Sequence, residues 1–398
     1  MRILVVNMPG ELWSSSRAGA VTRVIHQTAR RWIELGHEVV VLSQCDDEPL
    51  AGVAFVPLAF SLRNSSLLDR LGGRLSLYEG RLRRRPVGAS RSFVSAVKAA
   101  MREVETPDVI VFHNDLHTAA RFTRTFPEAL RVTWVHNALT VEGWTEHGRR
   151  KVVRSSDLLI CVSEYIREHL CSSAPVSKDA MRVALNGVDS ATFRPARDHE
   201  IVVPEAPLEV ITVGRIDPAK GTDLLAAAIK RLQREGTEAH LTVVGDQWWY
   251  GNDSAVRSDF TNRVLADLNL VGARWTGHVA HADVARHLAG ADVFVDASRV
   301  PNPCPLSMLE AMASGLTVIS AASGGNPELL QGSGILLEAA PEIDPAALAA
   351  ALRQLHLARE LLAERGSSAR VRASALTWNA TADEALDAIG SALAKRAS

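Results

Sequence analysis

Val210-Ile211-Thr212-Val213-Gly214-Arg215-Ile216-Asp217-Pro218-Ala219-Lys220-Gly221 decides how this chain is read. Val210–Val213 is a short apolar, β-branched run of the kind buried in a parallel sheet. It ends in glycine, and Arg215 and Lys220 follow, five residues apart. Open α/β sheets bind ligands beyond the carboxyl ends of their strands, which is where these cations fall. Arginine offers a bidentate fork and lysine a point charge, the combination that stabilises charge gathering on a departing diphosphate. Most Arg–Lys pairs are solvated surface cations; the strand-end setting is what favours a ligand.

Working outward, strands alternate with helices in both directions. Ile3–Val6 predicts a strand, and Val21, Val24, Ile25, Thr28 and Trp32 recur at helical spacing until Gly36. Val39–Leu42, Val109–Phe112, Val132–Val135 and Leu158–Val162 continue the series. It restarts beyond Arg194-Pro195 with Val210–Val213, Leu241–Val244, Val293–Asp296 and Val318–Ser320. Two such series predict an α/β fold of two Rossmann-like, doubly wound domains facing a cleft. The expected boundaries are 1–195 for the first domain, 196–207 for a charged, proline-bearing linker and 208–372 for the second. The alanine-rich segment 373–398 is expected to be a helix that returns to the first domain.

The 398 residues, 47 % hydrophobic and 22 % charged, suit a multidomain globular chain with sizeable cores. A formal net charge of -1 gives no global field toward nucleic acid or a membrane. Locally, residues 62–91 hold eight arginines against Asp69 and Glu79, and read first as a solvated loop, with an acceptor site and a contact with acidic lipid as the alternatives. Cys45, Cys161, Cys171 and Cys304 show no metal-ligand spacing and read as reduced thiols. No apolar run approaches the ~20 residues of a membrane span, and a cytoplasmic location is expected.

A second stretch, Asn302-Pro303-Cys304-Pro305-Leu306-Ser307-Met308-Leu309-Glu310-Ala311-Met312-Ala313-Ser314-Gly315, starts a helix with prolines and ends it at glycine. Leu306, Leu309 and Met312–Ala313 predict its buried stripe, leaving Glu310 as a lone carboxylate able to accept two ribose hydroxyls. A glutamate complementing the helix dipole is the plainer alternative. In Ser323-Gly324-Gly325-Asn326-Pro327-Glu328 two glycines let the backbone approach a ligand, and Asn326 is placed to cap. His113-Asn114 and His136-Asn137 each follow an apolar run, and Gly19 lies between the first strand and its helix. No DxD-like pair follows a strand, so no metal is expected, and Arg215 and Lys220 supply the positive charge.

Together these motifs resemble the GT-B glycosyltransferases, in particular the large retaining family numbered four, the glycosyl transferases group 1. The resemblance implies that Gly19 lies near the sugar diphosphate and that His136 lies by the transferred sugar, a catalytic position shared with Arg215 and Lys220. Asn186-Gly187-Val188-Asp189, with Phe193 and Pro195, matches the family's NGVD segment, and Gly324 to Glu328 its GG-x-P-E segment. Asn186, Arg215, Lys220, Asn302, Leu306, Glu310, Gly324 and Gly325 are the implied donor-binding set, with Glu310 on the ribose. His113, Asn137 and Trp144 are the candidate acceptor residues. The chain departs from the family where Asn302 and Cys304-Pro305 replace the first glutamate of E-x7-E and the following Phe-Gly. The nucleotide half of the donor is thereby legible and the sugar half is open.

The implied reaction is retaining, metal-independent transfer of a hexose, of glucose or N-acetylglucosamine type, from a UDP-sugar to a small hydrophilic acceptor, as in natural-product biosynthesis. The UDP-sugar is a co-substrate and no cofactor is expected. The alternatives are transfer to a lipid-linked or polysaccharide acceptor at a membrane surface, with 62–91 as peripheral contact, and a sugar-nucleotide epimerase on the same fold. Trp248-Trp249-Tyr250, past Val244-Gly245-Asp246, offers aromatic faces for a sugar or base.

Overall fold

The computed structural model describes residues 1–45, 47–59, 91–114, 116–122, 125–138, 153–173, 180–195, 206–247 and 257–397. It divides into two units, Met1–Leu185 with Trp378–Ser398, and Asn186–Thr377. All of the Arg-rich segment 62–91 but its last residue, together with Trp144 and Trp248–Tyr250, lies outside the described residues, as does most of the expected linker.

The first unit carries a sheet of β1 (Arg2–Val6), β2 (Glu38–Ser43), β3 (Ala54–Pro57), β4 (Val109–His113), β5 (Leu130–Val135), β6 (Leu158–Cys161) and β7 (Met181–Val183). Its order is β3-β2-β1-β4-β5-β6-β7, all parallel. The order reverses between β1 and β4, so the carboxyl ends of those strands flank the crevice where doubly wound sheets bind ligands. Helix Ala20–Glu34 buries Val21, Val24, Ile25, Thr28 and Trp32, the helical-period positions of the sequence. Helix Trp378–Ala397 packs against it: the Arg31 guanidinium donates to both Asp383 oxygens (3.0 and 3.1 Å), and Trp32 Nε1 donates to the Ala382 carbonyl. At its far end Arg396 donates to the carbonyls of Pro127 and Ala129. The chain's last helix is thus pinned at both ends to the first unit.

The second unit carries β8 (Leu208–Val213), β9 (Ala239–Val244), β10 (Arg274–Trp275), β11 (Val293–Asp296), β12 (Thr317–Ala321) and β13 (Ile335–Leu337). They lie parallel in the order β10-β9-β8-β11-β12-β13, with the reversal between β8 and β11. Leu225, Ala228, Ile229 and Leu232 of helix Thr222–Arg234 share one core with Leu348, Leu352 and Leu355 of helix Pro345–Leu357.

The unit boundaries differ from those expected. They fall at 185 and 377, not at 195 and 372. Asn186–Pro195 belongs to the second unit because Asn186 bonds to Cys304, Val188 N–H donates to the Leu376 carbonyl, and Phe193 packs on His281. The Val188–Leu376 bond also holds residues 373–377 there. Among the described residues no helix is long and apolar enough to cross a membrane.

Candidate active site

In the second unit β8 ends at Val213, beside β11 at the sheet's reversal. Arg215 follows, half-exposed, with its guanidinium 3.2 Å from Asp217. Asp217 also caps the turn Pro218–Lys220 by accepting from Ala219 N–H. Gly221 then adopts φ +65°, and a Cβ there would come within 2.0 Å of the Ala297 carbonyl oxygen. Only glycine meets both demands, so the chain can turn from Lys220 straight into helix Thr222–Arg234. Arg299, which sequence reading passed over, ties this turn down: it donates to the Pro218 carbonyl and to Asp223, and pairs with Glu342. Those hydrogen bonds to Asp223 and Glu342 hold its guanidinium more firmly protonated than usual.

The turn delivers Lys220 Nζ to Asn302 Oδ1 at 3.0 Å. Asn302 Nδ2 in turn donates to Asp296 Oδ2 at 2.7 Å and Ser298 Oγ at 3.0 Å. Arg215, Lys220, Asp296, Asn302 and Ser307 line one polar recess with the end of β8. Gly324 and Gly325 do not open the backbone toward a ligand alone, as their sequence suggests. Gly324, at φ +63°, lies where a Cβ would come 2.3 Å from the Asn302 carbonyl oxygen, and Gly325 N–H donates to that oxygen at 2.8 Å. The glycine pair therefore fixes Asn302. Nor does Asn326 cap: its Nδ2 reaches back to Ser320 Oγ and the Ala321 carbonyl.

Helix Leu306–Ala313 begins after Pro305 and buries almost every residue, Leu306 and Glu310 included, so it has no solvent face of the kind its spacing implied. A carboxylate there requires a partner. His281, at the start of helix His281–Ala289, supplies it by donating Nε2–H to Glu310 Oε1 at 2.6 Å. The Phe193 ring packs on the imidazole, with centroids 5.3 Å apart. Asn186 anchors the segment ahead of the helix: its Nδ2 donates to the Cys304 carbonyl and its backbone N–H to Cys304 Sγ. Burial pushes the Cys304 thiol up to about 12, so it packs and accepts rather than reacts.

In the first unit His113 ends β4 and His136 follows β5. His113 Nδ1 lies 2.8 Å from His136 Nε2, and both rings stack on Trp134. Burial holds both neutral: His136 is lowered to about 3 and His113 falls well below the histidine range, with His136 as a second cause. His113 is fully buried, so it serves His136 rather than the acceptor contact its sequence suggested. Asn114, at φ +55°, accepts from the backbone N–H groups of His136 and Asn137 and so sets the chain after β5. Gly19 precedes helix Ala20–Glu34, and a Cβ on it would come 2.3 Å from the buried Glu11 carboxylate. Glu11 accepts from Thr22 N–H and Oγ1, while burial raises its pKa.

The structure thus gathers Arg215, Lys220 and Asn302 in one recess, joins Gly324 and Gly325 to Asn302 and Asn186 to the helix bearing Glu310, and couples His113 to His136. Glu11, His281 and Asp296 were missed, and Asn114 was noted only beside His113, not as the residue that sets the chain after β5. Of the three, Asp296 carried a signal, as a carboxylate closing a buried apolar strand. Among the described residues no cluster of three or more His, Cys, Asp or Glu could hold a metal ion.

Two sequence families match this arrangement: Glycosyltransferase Family 4 over residues 21–192 and Glycosyl transferases group 1 over residues 207–357. The chain belongs to these glycosyltransferases. The glycosyltransferase is 27 % identical over 383 residues to the glycogen synthase of Mycobacterium tuberculosis, covering 89 % of this chain and 86 % of that protein. It is also 27 % identical over 222 residues to spore coat protein SA of Bacillus subtilis, where the match spans 52 % of this chain and 57 % of that protein's length. Among solved structures it resembles Anabaena HepE in complex with UDP and glucose, with a TM-score of 0.71, 17 % identity and coverage of 98 % and 99 % of the two chains. These likenesses fit two parallel-sheet α/β units of the GT-B type.

Proposed function

We propose that this glycosyltransferase moves a hexose, of glucose or N-acetylglucosamine type, from a UDP-sugar to a small hydrophilic acceptor, with retention and without a metal ion. The observation that carries this reading is the placement of Arg215 and Lys220 just past β8, at the sheet reversal, with Lys220 bonded to Asn302. Glu310, buried and held by His281, suits two ribose hydroxyls. The UDP and glucose held by HepE support the same donor class.

In this mechanism the acceptor oxygen attacks C1 on the face the diphosphate leaves. The C1–O bond to phosphate breaks, the new C1–O bond forms, and the acceptor proton passes to the departing diphosphate. Arg215 and Lys220 take up the charge that develops on the phosphate oxygens, the term that dominates such catalysis. His136 contributes as a neutral hydrogen-bonding group, because burial keeps its imidazole unprotonated at neutral pH. Gly19 and Asn137 stay assigned to substrate contact in the first unit. Four unpaired cysteines fit an enzyme of the cytoplasm.

A thermal-shift screen of nucleotide sugars tests the donor. A ligand at 100 times its Kd stabilises by about 2.7 kcal/mol, and UDP-hexoses are expected to give the largest shift. Turnover in EDTA and an axial product anomer from an axial donor complete the test; a metal requirement or an inverted product contradicts it.

A further inference from the structure

Asp296 closes β11 at the sheet reversal and is about nine-tenths buried, 8 % exposed. Its Oδ1 accepts from Ser298 N–H and Oγ, and its Oδ2 accepts from Asn302 Nδ2 at 2.7 Å. A carboxylate offers about four accepting positions, so these three bonds leave one. On the other side of Asn302, Oδ1 takes the Lys220 ammonium at 3.0 Å. The amide is therefore clamped between opposite charges, each matching the end it faces. Turning it over would set Nδ2 against the ammonium and Oδ1 against the carboxylate. Behind it, the Asn302 backbone is fixed by Gly324 and Gly325.

We propose that Asp296 is a donor-sugar positioning residue, acting through Asn302 in a Lys220–Asn302–Asp296 relay; the inference rests on the donor site read above. A diphosphate oxygen carries negative charge and pairs with the ammonium as ion with ion, where the Asn302 amide oxygen offers only a dipole. It draws Lys220 from the Asn302 amide. Asp296 and Ser298 keep hold of Nδ2, so Oδ1 stays aimed into the recess and becomes the acceptor for a sugar hydroxyl. Diphosphate binding thereby switches on sugar recognition. The carboxylate a glutamate at 302 would present directly stands one residue deeper, and the amide carries its orientation forward.

The test compares calorimetric affinities for UDP, UDP-glucose and UDP-N-acetylglucosamine in the full-length wild type, Asp296→Asn, Asn302→Glu and the Asp296→Asn/Asn302→Glu double variant. Asp296→Asn lets the amide turn over. It is expected to keep UDP affinity within threefold while losing tenfold or more of the extra affinity the preferred UDP-sugar has over UDP, with kcat reduced. The double variant restores one carboxylate and recovers at least a third of the lost sugar increment. Asn302→Glu alone sets two carboxylates together and weakens UDP binding. A purely structural Asp296 would lower UDP and UDP-sugar affinity alike, and that result, or an unchanged increment, overturns the relay. If Asp296→Asn does not fold, a folded double variant with no sugar increment overturns it equally. Wild-type protein that binds no UDP overturns the donor reading itself, and the relay with it.

Discussion

His281 Nε2 stands 2.6 Å from Glu310 Oε1, inside a unit that buries that glutamate. The imidazole lies on the Phe193 ring, so an NGVD-linked aromatic, a helix start and the proposed ribose carboxylate form one chain of contacts.

Removing the imidazole tests that chain. A hydrogen bond to a charged group contributes about 1.5–3 kcal/mol, so His281→Ala is expected to raise the donor KM roughly 10- to 100-fold. Its effect on kcat is smaller, since Glu310 is assigned to the nucleotide and not to the reacting centre. Steady-state kinetics decide this; an unchanged KM detaches His281 from donor binding.

Gly324→Ala bears on the support of Asn302. At φ +63°, with the Asn302 carbonyl oxygen 2.3 Å from the new Cβ, the backbone must shift. Strain of this kind costs about 1–3 kcal/mol, lowering Tm by several degrees, and activity falls with it. Gly390→Ala, in open space within the last helix, is the control, expected to stabilise by about 0.5–1 kcal/mol. Equal behaviour of the two variants in a melting experiment argues against the close approach.

The paired histidines make the first unit sensitive to acid. In the unfolded chain each binds a proton below a pH of about 6.5; in the fold burial keeps both neutral, His136 down to about 3. Stability is therefore full above that range and falls as pH drops through it, by about 1.4 kcal/mol per pH unit for each histidine. Urea midpoints between pH 7.5 and 5 should show the decline, and His136→Gln should flatten it. A slope unaffected by that substitution contradicts the buried neutral pair.

Thiol reactivity checks the core assignment. Cys161 and Cys304 are buried and their thiols pushed up to about 12, whereas Cys45 and Cys171 are partly exposed. An alkylating reagent at pH 8 should label Cys45 and Cys171 in the native protein and all four after unfolding. Native labelling of Cys304 by mass spectrometry would place the segment ahead of Leu306 differently.

The central strands were legible because each is a continuous apolar run, buried on both faces as parallel strands must be. The strands that escaped, β3, β7, β10 and β13, are all sheet edges, two to four residues long and mostly only part-buried. Arg215, Lys220 and Glu310 stood out because a strand end and a proline-started helix frame them. His281, which orients Glu310, and Asp296, which orients Asn302, come from other elements and meet them only in the fold. Glycines were the ambiguous class: Gly324 announces a tight approach, yet the sequence cannot say that Asn302, and not a ligand alone, lies on the other side.

Calorimetric titration of UDP into wild-type protein and into Lys220→Ala and Arg215→Ala decides whether these two cations hold the diphosphate. The wild type is expected to bind, and each variant to bind at least tenfold more weakly at unchanged Tm. Binding undiminished by either substitution, or no binding by the wild type, contradicts that role.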